Sequence, residues 1–70
     1  MTAIDGLNPL VNLRVLDLSN NQILSMRSGL FDLIELRELD LSLNKIEVVE
    51  GLDSQTKLEV FRINNNKLKL

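Results

Sequence analysis

The amino-acid sequence predicts a short solenoid. It is an α/β-type right-handed arc, with a three-stranded parallel sheet on its concave face and 3₁₀ or irregular segments on its convex face. Three observations carry that prediction. A pattern of leucine-like and asparagine positions, L-x-x-[LF]-x-[LI]-x-x-N-x-[IL], occurs at residues 13–23 (LRVLDLSNNQI), 36–46 (LRELDLSLNKI) and 58–68 (LEVFRINNNKL). The copies begin 23 and 22 residues apart. Inside each copy the apolar spacing is three and then two, whereas between copies apolar residues recur at every third position.

The first spacing selects strands. On a helix turning about 100° per residue, Leu18 would sit about 140° from Leu13, which makes a poor stripe. In a strand Leu16 and Leu18 share one face, because side chains alternate, and Asp17 points the other way. Strands are therefore expected near residues 14–18, 37–41 and 59–63. The second spacing, at Leu7/Leu10/Leu13, Leu30/Leu33/Leu36 and Leu52/Gln55/Leu58, has the period of a 3₁₀ turn. Parallel strands need a crossover of about a dozen residues, which these return segments supply with right-handed sense.

Residues 1–12 read as half a repeat. Ile4 corresponds to Met26 and Val49, and a Gly-Leu pair recurs at Gly6-Leu7, Gly29-Leu30 and Gly51-Leu52. Glycine there implies a tight turn or a close backbone approach. Asn8-Pro9 suits a turn, and the alignment needs one extra residue between Met26 and Leu30. The expected organisation is a single domain over 1–70, with a partial repeat at 1–12 and repeats at 13–35, 36–57 and 58–70, the last incomplete. Three strands without evident terminal caps imply a marginal fold, a fragment of a longer array, or a chain that leans on a partner at its open strand edges.

Asn21, Asn44 and Asn66 hold the pattern's asparagine position. A buried amide offers both donors and an acceptor, so one per coil forms a structural ladder that satisfies backbone groups where each strand turns away.

Composition narrows the function. The chain has no cysteine and no histidine, which removes disulfides, the Ser-His and Cys-His nucleophile pairs and the commonest metal ligand. Its formal charge of −2 is spread along the chain and offers no basic face to a phosphate backbone. No phosphate-cradling glycine loop occurs. Asp17 and Asp40 resemble an acid–base pair, or with Glu38 a hard-cation site, but a flat open face gives no pocket to desolvate them. Phe31 and Phe61 are the only aromatics, and Phe61 fills a core position, so bases have little to stack on. Phe31, Ile34, Leu24 and Leu43 fall outside the core pattern, and Phe31 with Ile34 makes a small convex patch. No apolar run approaches a membrane span. The start, MTAIDGLNPLVNL, lacks the features of a signal peptide, so a cytoplasmic or nuclear location is expected.

On these motifs, with I-x-x-V-x-G-L at residues 46–52, the chain resembles the short 22-residue leucine-rich-repeat class. That class includes the regulatory subunit of protein phosphatase 1 and the axonemal dynein light chain with leucine-rich repeats. The resemblance implies a non-enzymatic protein–protein interaction module, a scaffold, targeting or regulatory subunit, that needs no cofactor or metal. It implies that a partner protein is bound on the concave face by Val15, Asp17, Ser19, Glu38, Asp40, Ser42, Val60, Arg62 and Asn64. No nucleic-acid or membrane partner is expected. The alternative is a structural segment of a larger assembly or array, held or self-associated through its exposed strand edges. Across the strands, Arg14, Arg37 and Glu59 are expected in one ladder and Asp17, Asp40 and Arg62 in another.

Overall fold

The computed structural model describes residues 2–4, 6–7, 9–26 and 29–69. The expected turn at Asn8-Pro9 and the extra residue between Met26 and Leu30 fall partly on Asn8, Arg27 and Ser28, outside the described residues. Three short strands, β1 (Val15–Asp17), β2 (Glu38–Asp40) and β3 (Val60–Arg62), pair in parallel in the order β1-β2-β3. No helix occurs among the described residues, so the helical part of the expected α/β type has no counterpart there and only its parallel sheet is present.

Each strand is shorter than the alternating stretch that predicts it, yet the hydrogen bonding runs on past its ends. The Arg14 carbonyl accepts from the amides of Arg37 and Glu38 at 2.8 and 3.0 Å, and the Leu18 amide donates to the Asp40 carbonyl at 2.8 Å. The same bonds join Arg37 to Glu59 and Val60, and Leu41 to Arg62. The cross-strand register is Val15↔Glu38↔Val60, Leu16↔Leu39↔Phe61 and Asp17↔Asp40↔Arg62.

The return segments are strings of single turns rather than continuous 3₁₀ helices. Amides of Leu10 and Leu13 donate to the carbonyls of Leu7 and Leu10, both at 3.0 Å. Leu33 and Leu36 repeat this on Leu30 and Leu33, and Gln55 and Leu58 on Leu52 and Gln55. Every third residue closes a turn on the one three before it, which turns all these side chains to the same side.

Two glycine roles separate. Gly6 and Gly51 take φ of 75° and 71°, the left-handed region in which glycine has no steric penalty. Gly29 is there for space. A Cβ on it would meet the Ile4 carbonyl oxygen and come within 2.7 Å of the Ile4 Cβ. That close approach seats the partial first repeat, which also forms a parallel bridge between Ala3 and Ser25.

The core lies in the middle of the stack. Ile23, Met26, Leu30, Leu33, Leu36, Leu39, Leu41 and Ile46 are all but inaccessible to water. Their equivalents in the outer coils are covered from one side only. Leu10, Val49 and Leu68, aligned with buried residues of the middle coil, stay 45%, 43% and 41% exposed. A patterned apolar position is fully buried only where coils cover it on both sides. Leu24, Phe31, Ile34 and Leu43 are exposed, as their place outside the pattern requires.

Candidate functional site

The sheet has one face turned to the leucine core and one turned outward. Alternation sends Leu16, Leu39 and Phe61 inward and leaves Val15, Asp17, Glu38, Asp40, Val60 and Arg62 on the outward face. Ser19, Ser42 and Asn64 continue that face where the chain leaves each strand. A shallow depression of about 170 Å³ is lined by these strand residues, with Leu16 and Leu39 at its floor. A second, of about 290 Å³, lies beside it between Arg14, Arg37, Glu59, Glu38, Val15 and Val60. Six of the nine candidate positions, Val15, Asp17, Glu38, Asp40, Val60 and Arg62, thus line one depression.

Two of the nine have a local task as well. Asp17 Oδ1 accepts from the Ser19 amide at 2.9 Å and from the Ser19 hydroxyl at 2.6 Å. Asp40 Oδ1 accepts from the Ser42 amide at 2.9 Å. These are Asx turns that tie each strand end to the bend after it. The Ser19 hydroxyl, then its amide, holds the Asp17 carboxyl below the usual carboxylate value. In the third coil Arg62 replaces the aspartate, so that device is missing there.

The charges on this face stack in ladders from strand to strand. Asp17 sits opposite Asp40 in the register, and Arg14 lies one residue outside it opposite Arg37. Strands neighbour each other at about 4.8 Å, and like charges directly opposite are destabilising. Only the third coil inverts the sign, with Arg62 opposite Asp40 and Glu59 bonded to Arg37 at 3.3 Å. Beyond the expected ladder, Lys57 bonds Glu35 at 2.9 Å and Lys69 bonds Glu47 at 2.8 Å, again one repeat apart.

The asparagines hold the coils together. Asn44, buried, donates to the carbonyls of Leu18, Leu41 and Ser42 at 3.0, 2.9 and 3.1 Å and accepts from the Ile23 amide at 3.0 Å. Asn66 does the same one coil later with Leu41, Ile63, Asn64 and the Ile46 amide. Asn21 donates to Leu18 and Ser19 in its own coil. Gln55, unremarkable in the pattern except as a poor leucine, is 6% exposed. Its amide donates to the Leu30 and Leu33 carbonyls at 2.6 and 3.2 Å, while its Oε1 has no partner among the described residues.

Among the described residues no group of three or more acidic, histidine or cysteine side chains is placed to hold a metal ion, and no helix is long and apolar enough to cross a membrane. No curated protein and no solved structure matches the chain. The sequence profile described as leucine rich repeat matches residues 11–68, most of the chain and all three asparagine-bearing coils. The chain belongs to the leucine-rich-repeat family.

Proposed function

We infer that this chain is a non-enzymatic protein–protein interaction module, acting as a scaffold, targeting or regulatory subunit, and that a partner protein docks on the outward, concave face of the sheet. Val15, Asp17, Ser19, Glu38, Asp40, Ser42, Val60, Arg62 and Asn64 are its contact set, on a single domain whose repeats follow residues 1–12, 13–35, 36–57 and 58–70. Domains of this family generally mediate protein–protein interaction. The observation that carries the reading is that Asp17, Glu38, Asp40 and Arg62 line one shallow depression with Val15 and Val60, a surface on which a partner's complementary charges would dock. Val15, at 58% exposure, supplies apolar area between them. The alternating signs favour a partner of mixed charge over a polyanion. Such a module would work in the cytoplasm or nucleus.

The test is capture by the immobilised chain, compared with the triple variant Asp17→Asn, Asp40→Asn and Arg62→Glu. Asparagine keeps the Oδ1 acceptor that each turn needs, so the coil is preserved while the charge is removed. Partners held by the parent chain should be lost from the variant and kept by Phe31→Ser on the opposite side. Retention by the triple variant would overturn the reading.

A further inference from the structure

We propose, resting on the reading of this face as a docking surface, that its occupant is a second copy of this chain. The two copies lie face to face about a two-fold axis that crosses the sheet at right angles to the strands. Two depressions lie side by side on the face. One holds Asp17, Asp40 and Arg62, the other holds Arg14, Arg37 and Glu59, and both are lined by Val15, Glu38 and Val60. Val15, Glu38 and Val60 stand in register as a middle row. The charged rows on either side of it are three residues of strand apart, about 10 Å. From one charged row to the other the sign changes in every coil: Arg14 gives way to Asp17, Arg37 to Asp40, and Glu59 to Arg62.

That inversion makes the face complementary to itself. An axis passing between Val15 and Leu16, Glu38 and Leu39, and Val60 and Phe61 lays each strand antiparallel over its own counterpart. Each charged row then covers the other row of the second copy. Arg14 meets Asp17 of the second copy, Arg37 meets its Asp40 and Glu59 meets its Arg62, and the symmetry makes each contact twice. Arg37 and Glu59, bonded to each other within the chain, both remain exposed, so these pairs join into a network of alternating sign. Complementary charges of this kind fix the register of an interface and suppress others. An axis running along the strands would instead set Arg37 on Arg37 and Asp40 on Asp40. Val15, exposed, and Val60, half-buried, lie against their own counterparts beside the axis and supply the apolar contact. Glu38 also meets its counterpart there, a like-signed contact that weakens the fit. The two-fold closes the pair, so the product is a dimer and not a filament.

Sedimentation equilibrium of the 70-residue chain from about 1 µM to about 1 mM, with far-UV circular dichroism at each concentration, tests the proposal. The average mass should rise to twice that of the monomer and stop there. Raising sodium chloride from about 0.05 M to about 0.5 M should weaken the dimer about tenfold or more. Arg14→Glu sets the new carboxylate against Asp17 of the second copy, and Asp17→Lys sets its ammonium against Arg14. The coil accepts both charges at these places, since its third turn carries Glu59 and Arg62 there. Each variant alone should dimerise about tenfold or more less tightly than the parent. Their equimolar mixture should dimerise again, because the two new charges meet each other while the untouched Arg14 and Asp17 still pair. Glu38→Gln should tighten the parent dimer. A monomer at every concentration would overturn the proposal. So would growth beyond a dimer, a dimer indifferent to salt, or a mixture no tighter than its components. A monomeric parent would leave partner capture standing, because the Asp17, Asp40 and Arg62 variant tests that separately.

Discussion

Asn20, Leu43 and Asn65 share a φ of 59° at equivalent points of their coils, one residue before each ladder asparagine. The left-handed conformation costs an ordinary L-residue about 1–2 kcal/mol, and asparagine tolerates it because its short polar side chain bonds locally. Leu43 suits the position least, and it gains little from packing at 51% exposure. Leu43→Asn should therefore stabilise the chain by about 1 kcal/mol, read as a higher urea midpoint with an unchanged slope. A midpoint that stays or falls would show that Leu43 packs better than its exposure indicates. Gln55 is the second residue at odds with its coil. It occupies the place of Leu33, and its buried Oε1 lacks a partner among the described residues. The carbonyls to which it donates already accept from the amides of Leu33 and Leu36. Removing the side-chain amide leaves neither carbonyl empty, and an unsatisfied buried polar atom costs about 1–3 kcal/mol. Gln55→Leu should be stabilising in thermal melts, and a loss of more than about 1 kcal/mol would give the amide a positive role.

At the scale of the element, strand centres and the asparagine ladder were legible in the sequence because each rests on a strict local period. Alternation around Leu16, Leu39 and Phe61 places β1, β2 and β3, and the register follows from aligning the copies. Less of the rest was readable. Nothing in the pattern marks residue 43 as left-handed, since that position is variable and leucine there looks unconstrained. The amide of Gln55 reads as a degraded leucine until the Leu30 and Leu33 carbonyls are seen above it. Val49 and Leu68 carry the apolar signature of core positions, yet they remain partly in water. Burial in a stacked coil needs neighbours on both sides, and one coil's sequence encodes only its own inward face. Of the candidate site, the grouping of the six strand residues on one face follows from alternation. The double duty of Asp17 and Asp40 as turn acceptors does not, because it depends on where Ser19 and Ser42 place their amides.

For the whole molecule, the exposed charge pairs set the pH response. The Asp17 carboxyl is lowered by Ser19, that of Glu35 by Lys57 and that of Glu47 by Lys69, each chiefly through a side-chain hydrogen bond. A carboxyl with a lower pKa in the folded chain than in the unfolded one stabilises the fold fully above its unfolded value. It loses that contribution as pH falls through the folded value. Lys69 is raised by Glu47, so its contribution is whole below its ordinary value of 10.5 and disappears as pH rises through the raised one. The urea midpoint should be flat through neutral pH, falling below about pH 4 and again above about pH 10.5. A midpoint that slopes across pH 6–8 would contradict this, since no histidine is present to titrate there.

The ion pairs Arg37–Glu59, Glu35–Lys57 and Glu47–Lys69 each span 22 residues. The asparagine and strand bonds span nearly the same distance, so a residue finds its partners by counting along the chain rather than by a fixed address. Duplicating or excising one whole unit would give every surviving group a chemically equivalent partner at the same offset, whereas losing a few residues would misalign everything beyond the cut. Each added unit also closes a loop of constant length, so its entropic cost does not grow with the array. Unequal recombination can therefore lengthen or shorten such a chain in single steps, each product already folded in register with its parent.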